Sequence, residues 1–137
     1  NVALSLPRRS YGAILAGATA TVADNVVDGA AYIGVRVFER SRASGNVVHD
    51  SCLVLDDCGA LYTWGAGNDS VFEGNLVVGV RGNAAGKPAW ARVPQAQGLY
   101  LDDDASGVQV HRLFTAQGAQ CLQGLIQPTC SDGDADS

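Results

Sequence analysis

Apolar and polar positions alternate with period two in four short segments of this chain, residues 13–17, 34–38, 60–64 and 98–102. In an extended strand, alternate side chains face opposite sides, so aligning the segments sorts their residues into columns. One face reads Ile14, Val35, Leu61, Leu99 and Ala16, Val37, Thr63, Leu101, which are the expected core columns. The other reads Leu15, Arg36, Tyr62, Tyr100 and Gly17, Phe38, Trp64, Asp102, an expected exposed column of aromatics with an Arg and an Asp. Helices would require a 3.6-residue period with caps, and the pattern here is that of strands.

A second regularity lies between these segments. Asn1-Val2-Ala3, Asn25-Val26-Val27, Asn46-Val47-Val48 and Asn75-Leu76-Val77 recur at spacings of 24, 21 and 29 residues. A fifth copy, Arg112-Leu113-Phe114, follows 37 residues later with Arg in the Asn slot. A unit of twenty-odd residues marks a solenoid, whose turns bury their apolar faces only by stacking on one another. Asn tolerates left-handed backbone and can hydrogen-bond to the Asn of the next turn. Asn25, Asn46 and Asn75 are therefore assigned to an inward ladder, as scaffold. Parallel pairing at about 4.8 Å per turn would make the outward columns continuous along the solenoid.

Unequal repeat lengths locate the loops. Residues 79–97 form a long insertion with Arg81, Lys87, Pro88, Trp90, Arg92 and Pro94, and insertions in solenoids map to one face, often the binding face. Coils are expected over residues 1–114. Residues 115–137 lose the repeat and end in a polar Asp-rich run, so an irregular, partly disordered tail is expected there. The chain opens on Asn1 inside a repeat, which reads as a piece of a longer solenoid. Exposed solenoid ends predict self-association.

Composition narrows the partners. The 137 residues include 17 Gly, no Met and a formal charge of -5, and 12 of the 14 acids are Asp. Nucleic acid needs a basic face that this chain lacks. No run of about 18 apolar residues marks a membrane span, and no secretory leader pattern is read at the start. Cys52, Cys58, Cys121 and Cys130 allow three disulfide pairings, and small buried thiols are the alternative.

The segment Asp57-Cys58-Gly59-Ala60-Leu61-Tyr62-Thr63-Trp64-Gly65, followed by Gly98-Leu99-Tyr100-Leu101-Asp102-Asp103, resembles the right-handed parallel β-helix (pectate-lyase-like) superfamily. The likeness covers roughly residues 10 to 114 and is closest to the glycoside-hydrolase branch with xylosidase- and fucosidase-type enzymes. Cys58 stands where Gly is commoner, and the branch's enzymes are several times longer. The resemblance implies an all-β, right-handed parallel β-helix, here of about four coils. It also implies a carbohydrate-active protein that hydrolyses a plant or microbial glycan in an extracellular or periplasmic setting. A non-catalytic β-helix module for glycan binding or display is the alternative.

Glycoside hydrolysis needs two carboxyls flanking the scissile bond. By the resemblance these are Asp57 and Asp102, with Asp103 as runner-up for the second role. Asp is also a common turn residue, and the Asp56–Asp57 and Asp102–Asp104 runs can serve turns alone. Tyr62, Trp64, Tyr100 and Phe38 suit stacking on sugar C–H faces; packing beneath the insertion is the alternative. Trp90 joins them from the insertion. Arg36 is assigned to substrate binding, to hold a carboxylate, or else pairs with a nearby acid. His49 and His111 are read as turn residues. Oligo- or polysaccharide is the expected partner, and no metal or other cofactor is called. Clustered Asp is the one feature pointing toward Ca²⁺, without the loop signature of a dedicated site. Walker, dinucleotide, Cys-x-x-Cys and nucleophile-elbow motifs are absent from the sequence.

Overall fold

The computed structural model describes residues 2–4, 12–65, 67–85, 87–88, 94–116 and 131–132. Trp90, Cys121, Cys130, most of the tail and the middle of the insertion lie outside the described residues. Every regular element among the described residues is a strand. In chain order they are β1 (Val2–Leu4), β2 (Gly12–Leu15), β3 (Thr21–Ala23), β4 (Val26–Asp28), β5 (Ile33–Arg36), β6 (Arg42–Ser44) and β7 (Val47–Ser51). They continue as β8 (Cys58–Thr63), β9 (Val71–Glu73), β10 (Leu76–Val80), β11 (Ala96–Leu101), β12 (Gln109–His111), β13 (Phe114–Ala116) and β14 (Ser131–Asp132).

The strands form three parallel sheets, ordered β1-β4-β7-β10-β13-β14, β2-β5-β8-β11 and β3-β6-β9-β12. From β2 onward the chain visits the second, third and first sheet in fixed rotation as far as β13, the connectivity of a β-solenoid. The registers reproduce the sequence alignment: Ile14 pairs with Val35, Val35 with Leu61, and Leu61 with Leu99. Val35, Leu61 and Leu99 are fully buried, whereas Ile14, on an edge strand, is half-buried. Two further inward columns close the core, Val22/Ala43/Phe72/Val110 from the third sheet and Val27/Val48/Val77/Thr115 from the first. Residues expected in the irregular tail thus join the solenoid: β13 reaches Ala116, and β14 pairs with it.

The corners explain why strands this short persist. Asp24, Gly45, Gly74 and Arg112 all take left-handed φ, between 51° and 62°, one residue before the third sheet hands over to the first. At Gly45 this is doubly required, because an added Cβ would collide with the Asp24 carboxylate of the preceding turn. Directly after the first three corners, Asn25, Asn46 and Asn75 turn inward; after Arg112 the buried Leu113 holds that position, one residue beyond the Asn slot read from the repeat. Asn46 Oδ1 accepts from the Asn25 amide N–H (3.1 Å) and Nδ2 (3.0 Å), and Asn75 Oδ1 accepts the equivalent pair from Asn46 (3.0 and 2.9 Å). Each ladder side chain thereby satisfies backbone groups that the bend removes from the sheets.

Candidate functional site

The outward face of the second sheet carries the column Leu15, Arg36, Tyr62 and Tyr100, which the registers of β2, β5, β8 and β11 place side by side. Just beyond the strand ends, Phe38, Trp64 and Asp102 continue it, with the Asp102 amide bonded to Thr63 O at 2.9 Å. Asp57 stands directly before β8 and takes left-handed φ (57°), with its backbone carbonyl accepting from the Tyr32 hydroxyl at 2.8 Å. The close pairing of β11 on β8 depends on Gly59, where a Cβ would lie 2.8 Å from Tyr100 Cβ.

Two hydroxyl–carboxylate bonds join these residues. Tyr62 donates to Asp102 Oδ2 at 2.7 Å, and Tyr100 donates to Asp57 Oδ1 at 3.2 Å. Asp102 Oδ1 also accepts the Asp103 amide at 3.0 Å. The two tyrosine rings meet edge to face, centroids 5.6 Å apart at 88°, a favourable geometry for aromatic quadrupoles. Burial raises the Tyr62 pKa, reinforced by its bond to Asp102; burial raises that of Tyr100, followed by the charges of Asp57 and Asp102. Asp57 and Asp102 are thus each held by a hydroxyl of one registered tyrosine pair.

Beside this pair sits a cationic cluster. The Arg36 guanidinium lies 4.7 Å from the Phe38 ring centroid, 5.3 Å from Trp64 and 5.6 Å from Tyr62. Arg36 forms none of the ion pairs found among the described residues. Its Nε, like Trp64 Nε1, is buried without a hydrogen-bond partner. The alternative reading of Arg36, a pair with a nearby acid, finds no such pair among the described residues; Glu39 pairs with Arg40.

The column is less open than the alternation suggested. Tyr62 is only 8% exposed, whereas Tyr100 and Arg36 are half-buried. Aromatic and guanidinium groups on neighbouring strands cover one another, which the pattern of a single strand cannot reveal. Asp57 and Asp103 are exposed and Asp102 is half-buried. Asp103 supplies its backbone N–H to Asp102, and its carbonyl abuts Gly65. His49 and His111 lie within strands β7 and β12 of the other two sheets, not in turns. Among the described residues, no group of three or more His, Cys, Asp or Glu side chains converges as metal ligands.

Three supports of Asp57 escaped the sequence reading. A Cys52–Cys58 disulfide closes the loop that carries it. Neighbouring Asp56 accepts the Gln95 amide at 2.8 Å and pairs with Lys87, anchoring the insertion at two points. Tyr32 holds the Asp57 carbonyl from the preceding turn. The Cys spacing was the only available signal, and it left three pairings open.

Compared with known proteins, the chain matches no family model, no curated protein and no solved structure.

Proposed function

We propose that the chain is part of a right-handed parallel β-helix of about four coils that hydrolyses glycosidic bonds on the outward face of its second sheet. The observation carrying this reading is that carboxylates from successive turns, Asp57 and Asp102, share one face, each accepting from a tyrosine of the same registered pair. Glycoside hydrolysis needs two such carboxyls facing one groove. Asp102 has both oxygens held as acceptors, by Tyr62 O–H and Asp103 N–H, which suits the nucleophile or base. Asp57 is exposed with one oxygen engaged, which suits the acid that protonates the leaving oxygen. Arg36 and Trp64 would bind the substrate alongside, the guanidinium presenting donors that no carboxylate of the described chain takes up. Asp103 acts through its backbone in this arrangement. Trp90 is proposed as a contact from the insertion on sequence grounds alone.

The Cys52–Cys58 bridge supports an oxidising, extracellular or periplasmic setting. Self-association is supported by β2, β3, β11 and β12, which end their sheets among the described residues. The second reading, a module that binds or displays glycan without cleaving it, rests on the Arg36–Phe38–Trp64 cluster, which needs neither carboxylate to hold a sugar.

The test is a screen of 4-nitrophenyl glycosides and soluble plant and microbial polysaccharides with wild type, Asp57→Asn and Asp102→Asn. Hydrolysis by wild type is expected to fall about 10²- to 10⁴-fold in each variant, with oligosaccharide affinity by calorimetry nearly unchanged. Binding without turnover, equal in all three proteins, would establish the module instead.

A further inference from the structure

We infer that Tyr62 and Tyr100 are positioning residues that cross-brace the two carboxylates, and that their hydroxyls, not their ring faces, serve the site. This inference rests on the hydrolytic reading above.

The topology carries the argument. Tyr62 lies in β8, whose turn begins at Asp57, yet its hydroxyl holds Asp102, 40 residues away after β11. Tyr100 lies in β11, whose turn ends at Asp102, yet its hydroxyl holds Asp57, 43 residues away before β8. Each tyrosine thus grips the carboxylate of the other's turn. The registered pair Tyr62–Tyr100 fixes one ring against the other, edge to face. Stacking of β11 on β8 and spacing of the carboxylates therefore become one mechanical unit. A lone Asp at a strand end or in a loop has free rotation about two side-chain bonds, and misplacement by about 1 Å can cost roughly a hundredfold in rate.

Ring exposure argues the same way. A sugar needs an open aromatic face, and Tyr62 offers almost none. Trp64 and Phe38 flank the guanidinium just beyond the strand ends, which leaves them the stacking role. Burial and the adjacent carboxylates keep both phenols protonated. They remain donors throughout neutral pH.

The experiment uses the full chain with Tyr62→Phe, Tyr100→Phe and Tyr100→Ala. On the 4-nitrophenyl glycoside that wild type turns over, each Phe variant is expected to lose about 10- to 100-fold in kcat. KM should stay within about twofold. A sugar platform gives the opposite split: the Phe variants stay at wild-type kcat, and Tyr100→Ala alone raises KM. A second arm needs no turnover. Alkaline titration of ¹³Cζ-labelled tyrosines should show Tyr62 ionising at lower pH in Asp102→Ala, and Tyr100 at lower pH in Asp57→Ala. Tyrosine curves that coincide in wild type and both Ala variants overturn the cross-brace. A wild type that cleaves no glycoside while its titrations shift as expected removes the hydrolytic reading and leaves the brace standing.

Discussion

The Asn ladder makes a sharp stability prediction at Asn46. This side chain is fully buried and forms four hydrogen bonds. Its Oδ1 accepts from Asn25 N and Nδ2, and its Nδ2 donates to Val22 O and Asn75 Oδ1. Asn46→Ala removes all four, at a net value of about 1 kcal/mol each, and leaves a buried donor unpaired. The Asn25 amide N–H is such a donor. Asn25 Nδ2 keeps Ala23 O, and Asn75 Oδ1 keeps the Asn46 amide, so part of the network survives. The expected cost is then about 4 kcal/mol, a large share of a stability of roughly 7–20 kcal/mol for a domain this size. In urea, with m of about 2 kcal/mol/M, the midpoint should fall by about 2 M at constant m. Asn75→Ala removes three side-chain bonds and Asn25→Ala two, so the order Asn46, Asn75, Asn25 is part of the prediction. The exposed Thr21→Ala is the control, within about 0.5 kcal/mol. An Asn46→Ala cost below about 1 kcal/mol, or a reversed order, refutes the ladder as a structural support.

Asp56→Ala removes the acceptor of both Lys87 and the Gln95 amide; it should destabilise by about 1–3 kcal/mol and hasten trypsin cleavage after Arg92, which lies between them in the sequence, and an unchanged digestion rate refutes the anchoring role. Reducing Cys52–Cys58 opens a short loop and should cost about 2 kcal/mol on the chain-entropy account, read as a lower thermal midpoint with dithiothreitol that Cys52→Ser/Cys58→Ser reproduces without reductant. Tyr62 and Tyr100 ionise above their ordinary value of 10.0, chiefly through burial. The folded chain therefore keeps protons that the unfolded chain sheds. On this account their contribution is constant below about pH 10 and lost as pH rises beyond it. Urea midpoints that do not fall between pH 9 and 11.5 contradict that sign.

Sequence alone determined the strand type, the period and the register of the second sheet. Val35, Leu61 and Leu99 could be placed in one column because alternation ties each side chain to a face, and stacking turns must align equivalent faces. The Asn repeat was readable because a bend that needs an internal acceptor selects few residues, while the left-handed backbone itself falls one residue earlier, at Asp24, Gly45 and Gly74. Asp57, Asp102, Tyr62 and Tyr100 were also legible as residues of one face. What they do to each other was decided only in three dimensions. Whether a phenol shows a sugar its ring or a carboxylate its hydroxyl depends on side-chain reach across neighbouring strands, and in both tyrosines that reach runs to the other turn. Burial of Tyr62 by neighbouring strands, closure of the Asp57 loop by Cys52–Cys58, and capture of the insertion by Asp56 are likewise contacts between segments far apart in the chain or alternatives equal in sequence. A local pattern carries no information about such contacts, because their geometry is set by how the turns stack.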